Sequence, residues 1–174
     1  MKSNECDFSE KTESGSDSKK MYVLAHCLLN PAARVKGIRK PVPFDFHTDY
    51  FSRTKKPERS EFVIQLPCPE TIYFGTARGT VTKDQLDFLK YRLFCADLFK
   101  PYAEMIEQFE KDGFSILILG VSKSPSCGVF VTTSKKPSKT SPGFEEISVD
   151  GRGIFIEEIQ KELKWRNVHF VLTE

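Results

Sequence analysis

A chain of 174 residues with 39% apolar content has enough material to bury one sizeable core, and nothing in it calls for a second domain. The near balance of 26 basic and 24 acidic residues, a formal net charge of +2, argues against the basic face that a nucleic-acid partner requires. No apolar run approaches the roughly 20 residues of a membrane span and no signal-like segment opens the chain, so a soluble, cytoplasmic protein with no membrane partner is expected.

Residues 1 to 20 are polar and rich in Ser, Lys and Glu, too poor in apolar groups to offset the entropy of ordering. They read as a tail ahead of a single domain over 21–174. The core pattern starts at Met21 with a first strand, Tyr-Val-Leu-Ala, whose following loop carries Cys27. A long Pro-, Gly- and charge-rich connection follows, with room for one short helix. Phe62 to Leu66 is a second buried strand ending at Pro67 and Cys68. From about Thr82 to Asp112, Phe88, Tyr91, Cys95, Phe99, Tyr102, Ile106 and Phe109 recur at three- and four-residue spacing, which predicts a helix with Pro101 as its point of kinking or division. Gly113 stops it, and Phe114 to Leu119 is the most strand-like run in the chain. The loop with Cys127 follows, then a short run, GVFVTTS, a polar stretch, a helix from about Gly153 to Lys164, and a last strand, Val168 to Leu172. Strands alternating with helices predict a layered, Rossmann-like α/β fold with a mostly parallel sheet.

Three of the five cysteines, Cys27, Cys68 and Cys127, each stand just past one of these apolar runs. If the runs are parallel strands of one sheet, the thiols meet at its carboxyl edge, where open α/β sheets place their ligands. Three convergent soft ligands indicate a metal centre with one coordination position left open. An odd number of cysteines with no secretory signal also favours metal or redox chemistry over a disulfide framework. The other two act as controls. Cys6 falls in the polar tail, and Cys95 lies on the apolar stripe of the long helix, where cysteine behaves as a small hydrophobe.

The sequences around the three thiols resemble the thiouracil desulfidase family and its relatives. The resemblance is carried by Cys27, Leu28, Arg34 and Gly37; by Cys68, Pro69, Glu70, Gly75 and Arg78; by Ser124, Pro125, Ser126, Cys127 and Gly128; and by the glycine-led helix GRGIFIEEIQKEL. It implies a 4Fe-4S cluster held by Cys27, Cys68 and Cys127, with a fourth iron that has no protein ligand. It further implies a non-redox desulfidase that converts C=S to C=O and releases hydrosulfide from a small-molecule thiocarbonyl substrate such as a thiolated pyrimidine. Glu70 is the best-placed carboxylate for acid–base work, with a capping or ion-paired glutamate as the alternative. Ser124 is favoured as a second catalytic group. Ser126, Arg34 and Arg78 are candidates for substrate binding, the arginines alternatively bracing loops through ion pairs. His26, next to Cys27, keeps a zinc site of three thiolates and one imidazole open, ranked lower because neighbours on a strand face opposite ways. His47 and His169 have no clustered partners, and the lysines near 135 to 139 read as a solvated face. The competing class is a non-catalytic iron-sulfur or zinc module used in sulfur trafficking or sensing.

Overall fold

The computed structural model describes residues 19–35, 37, 61–139, 142–163 and 168–173. Cys6, His47 and nearly all of the long connection after Gly37 therefore lie outside the described residues. The strands are β1 (Lys20–Leu24), β2 (Glu61–Gln65), β3 (Ser115–Val121), β4 (Val131–Pro137), β5 (Phe144–Asp150) and β6 (Val168–Thr173). The helices are α1 (His26–Leu29), α2 (Pro69–Phe74), α3 (Lys83–Leu86), α4 (Leu89–Lys111) and α5 (Ile154–Glu162), with a 3-10 turn at Pro31–Ala33.

Four strands form one parallel sheet in the order β2-β1-β3-β6. Its two inner strands are apolar almost throughout, as strands covered on both faces must be. Met21, Val23 and Leu24 of β1 and Ile116 and Ile118 of β3 have almost no exposed surface. The register pairs Val23 with Ile64 on one side and with Ile118 on the other. Pairing runs on past the strand ends, with Leu66 N–H donating to Leu24 O at 2.8 Å and Ala25 N–H to Leu119 O at 2.9 Å. The carboxyl ends of β2, β1 and β3 are thus held level.

One buried stripe of α4, Tyr91, Cys95, Phe99, Ala103 and Ile106, lies on the core side. α5 adds Ile154, Phe155, Ile156 and Ile159, and the Phe99 and Phe155 rings meet edge to face at 6.3 Å. At the amino end of α4, Arg92 ties the two helices together by reaching Asp87, Glu157 Oε2 at 2.8 Å and Glu158 Oε1 at 2.7 Å. Those three carboxylates hold its guanidinium protonated well above its ordinary range.

The helical run expected from Thr82 to Asp112 is two helices. α3 starts on a capping box between Thr82 and Gln85, and the break falls at Asp87 and Phe88, where Phe88 takes extended backbone to restart as α4. Pro101 divides nothing. It sits inside α4 on the solvent side, so the Asp97 carbonyl it leaves without an N–H is on an exposed residue that water can reach. The polar stretch after GVFVTTS is also more ordered than expected, because β4 runs to Pro137 and pairs antiparallel with β5. Charge rather than apolar alternation matches the two strands: Lys136 lies opposite Glu145 and bonds it at 3.1 Å. Among the described residues, no helix is long and apolar enough to cross a membrane.

Candidate functional site

Each of the three cysteines follows the carboxyl end of one of three adjacent parallel strands, Cys27 after β1, Cys68 after β2 and Cys127 after β3. All three are free thiols. Burial pushes the Cys127 thiol well above its ordinary range, and Cys27 and Cys68, in that order, push it further. Burial likewise raises Cys27, opposed by the charge and hydrogen bond of Arg34. Cys95 is raised to about 12, chiefly by burial, and stays on the stripe of α4 as a core thiol.

Cys27 is not in a loop. It is the second residue of α1, a single turn that starts directly off β1, so the strand argument about its neighbour His26 does not hold. Successive helical residues are about 100° apart rather than on opposite faces. The His26 ring pairs with the Asn30 amide through Nε2 at 3.2 Å. His169 falls on β6, in register with Leu117.

Cys68 is the N-cap of α2, whose first helical residue is Pro69, a position where the missing N–H of proline is harmless. Its sulfur accepts from Thr71 N–H at 3.4 Å, lies 3.2 Å from the Thr71 hydroxyl, and accepts from Arg78 Nη2 at 3.9 Å. Glu70, buried in the first turn of the same helix, accepts from Arg78 Nε at 3.2 Å; the two side chains keep 9% and 6% of their surfaces exposed. Both are candidates from the sequence, and the fold brings them together as a buried ion pair.

Cys127 sits in the tight turn that leaves β3. Lys123, with φ of 62°, bends the chain there in a conformation that costs a non-glycine residue roughly 1 kcal/mol. The Ser124 hydroxyl accepts from Cys127 N–H at 2.9 Å, and Gly128 N–H returns to Ser124 O at 3.0 Å. Ser126 has no exposed surface, and its hydroxyl is 2.9 Å from that of Tyr91. The start of α5 finishes the loop: Gly153 N–H donates to Gly128 O, Ile154 to Pro125 O, and Phe155 and Ile156 both to Ser126 O, at 2.8 to 3.2 Å. The N–H groups that a helix start leaves without partners are thereby spent on the carbonyls around Cys127.

Thr71 and Tyr91 are site residues that sequence reasoning misses. A signal for Thr71 is present, since Pro at the first position of a helix makes Cys68 the cap and Thr71 the residue whose N–H it receives. Tyr91 reads only as one more member of an apolar stripe, and nothing local ties its hydroxyl to Ser126.

Among the described residues, no group of three or more His, Cys, Asp or Glu side chains is disposed to hold a metal ion. The three thiols of the metal centre expected from the sequence are each delivered by one of three adjacent strand ends. The molecule is an α/β protein whose parallel sheet presents three reduced cysteines, two of them beside arginines, at its carboxyl edge. It belongs to the family described as Putative 2-thiouracil desulfurase, whose model matches residues 19–150. The chain is also similar to Uncharacterized protein MJ0003 of Methanocaldococcus jannaschii, at 27% identity over 151 residues, 86% of this chain and 81% of that one. No solved structure matches it.

Proposed function

We propose that the protein removes sulfur from a small thiocarbonyl compound, a thiolated pyrimidine by preference, with a 4Fe-4S cluster held by Cys27, Cys68 and Cys127. The observation that carries this reading is that three adjacent strand ends of one parallel sheet deliver three free thiols, two of them close enough to act on the buried Cys127. The donor set suits iron and sulfide. Its ligands are soft, hydrogen-bond donors surround the sulfur of Cys68, and Arg34 offsets the charge of Cys27. A mononuclear zinc site needs its ligands gathered on one atom, a grouping not found among the described residues. A polynuclear cluster spaces its thiolates around a larger core. When bound, the cluster would supply a soft Lewis-acid iron for the substrate sulfur.

The side chains of this protein would move the protons. Glu70 accepts from Arg78 Nε, which takes one of the roughly four lone-pair sites a carboxylate offers. The capacity that remains would take a proton from the attacking water. The Ser124 hydroxyl accepts from Cys127 N–H, and a hydroxyl that accepts still has one hydrogen to donate to the substrate. Ser126, buried against Tyr91, would act through the position of the Cys127 loop. Arg34, beside Cys27, is within reach of the same centre and is the arginine proposed to meet substrate.

The test is sulfide release from 2-thiouracil and 4-thiouracil by full-length protein purified without oxygen. Glu70→Gln, which keeps an acceptor for Arg78, and Ser124→Ala are each expected to slow release by about 10²-fold while iron content stays unchanged. The competing module reading has an observation in its favour, since Glu70 and Ser124 both already have structural partners. Iron-loaded protein that frees no sulfide from either compound would decide for the module.

A further inference from the structure

The Arg78 side chain is buried, and its guanidinium has an acceptor on every side. Nε meets Glu70 Oε2 at 3.2 Å. Nη1 meets Thr71 Oγ1 at 3.0 Å and Gly75 O at 3.3 Å, while Nη2 meets Ala33 O at 2.8 Å and Cys68 Sγ at 3.9 Å. Ala33 closes the short segment that begins with Cys27, whereas Cys68, Glu70 and Thr71 belong to the start of α2. A single side chain thus joins two cysteine segments that are remote in sequence. The task suits a rigid planar fork of five N–H donors and not an ammonium, which is a compact point charge on a flexible stem.

Thr71 completes the arrangement. Its hydroxyl has one to give and lies within reach of two acceptors, Ala33 O at 3.3 Å and Cys68 Sγ at 3.2 Å. Ala33 O receives Arg78 and keeps a second lone pair, so the choice is set by the sulfur: as a thiolate ligand, Cys68 offers the charge-assisted acceptor and takes the hydrogen. Cys68 then faces three donors: the Thr71 amide, the Thr71 hydroxyl and Arg78.

We infer that Arg78 is a positioning residue that fastens the Cys27 segment to the Cys68 helix, and that Arg78 and Thr71 together form a hydrogen-bond shell on the Cys68 sulfur rather than a contact for substrate. The shell rests on Cys68 being a cluster ligand as proposed above; the fastening does not. Hydrogen bonds to a ligand sulfur are among the levers that set the potential of an iron-sulfur centre.

The two parts are tested by different measurements on the full chain. In protein freed of metal, amide exchange at Ala33 and Arg34 should rise about tenfold in Arg78→Lys, as expected when a bond or two holding a local segment is lost. The amides of β3 should be unchanged. Arg78→Gln provides the same reading if the lysine variant does not fold. In protein loaded with iron and sulfide under nitrogen, Thr71→Val should shift the midpoint potential to more negative values, and Thr71→Ser should restore it. Wild-type exchange rates in both Arg78 variants would overturn the fastening, and a wild-type potential in Thr71→Val would overturn the shell. Failure of the wild-type chain to take up iron would count against the functional reading, and the exchange data would still decide the role of Arg78.

Discussion

Alanine at Gly153 is expected to destabilise the protein by about 3 kcal/mol and to strip the cluster proposed above. A Cβ there would lie 2.5 Å from Ser126 O and 2.8 Å from Cys127 N, both backbone atoms that cannot rotate away. Gly153 also donates to Gly128 O, and the next three N–H groups of the chain hold Pro125 and Ser126. Making room therefore means either withdrawing the start of α5 or pushing the Cys127 turn out of place. Ile154, Phe155 and Ile156 anchor α5 in the core, so the turn is the part that yields. Gly128 is under the same constraint, with Ser124 O 2.7 Å from where its Cβ would stand. Gly79→Ala is the control, because no heavy atom lies within 4 Å of the added carbon, and its effect should stay within about 0.5 kcal/mol. Thermal unfolding with iron analysis of wild type and both variants checks the claim; a stable, iron-replete Gly153→Ala variant would show that the Cys127 loop does not depend on close contact with α5.

Serine in place of Cys27, Cys68 or Cys127 should each lower iron content by at least about tenfold and remove sulfide release, with little loss of fold. The expectation rests on electrostatics as much as on ligand chemistry. Burial and the other two thiols both disfavour ionisation of Cys127, and Cys68 opposes that of Cys27. Burial thus favours the protonated form of Cys27 and Cys127, whereas the cationic centre proposed above would stabilise thiolates side by side. Cys95→Ala is the informative counterpart. That thiol is as deeply buried as Cys127 and is pushed up to about 12, but it lies on α4 among Tyr91 and Phe99. The variant should lose about 1 kcal/mol of packing and keep its iron. Equal iron loss in all four variants would mean that burial, not ligation, explains the trio.

The parallel sheet was legible because its inner strands are covered on both faces and so read as unbroken apolar runs, Met21 to Leu24 and Ile116 to Leu119. The placement of the thiols followed from that, since a cysteine just past each of three such runs has only one sheet edge to occupy. β5 was hidden because FEEISVD pairs with β4 partly through Lys136 and Glu145, leaving a polar surface on much of the hairpin. The break at Asp87 was hidden too: the apolar stripe continues through Phe88 and Tyr91, and α3 is separated from α4 only by the backbone of Asp87 and the extended Phe88. Within the site, an ion-paired role was visible as an alternative for Glu70 and for Arg78 separately, but their pairing with each other and the link from Arg78 to Ala33 were not. That link joins residues 45 apart, and no local pattern encodes it. The pairing of Ser126 with Tyr91 is of the same kind, a contact across 35 residues between a turn and a helix stripe.

The most direct measurement is iron and acid-labile sulfide analysis, with the absorption spectrum, of the full-length protein purified and kept without oxygen. Four irons and four sulfides per chain in brown protein, with zinc absent, is the predicted result. Colourless protein with neither iron nor sulfide, or one zinc per chain in their place, would contradict it.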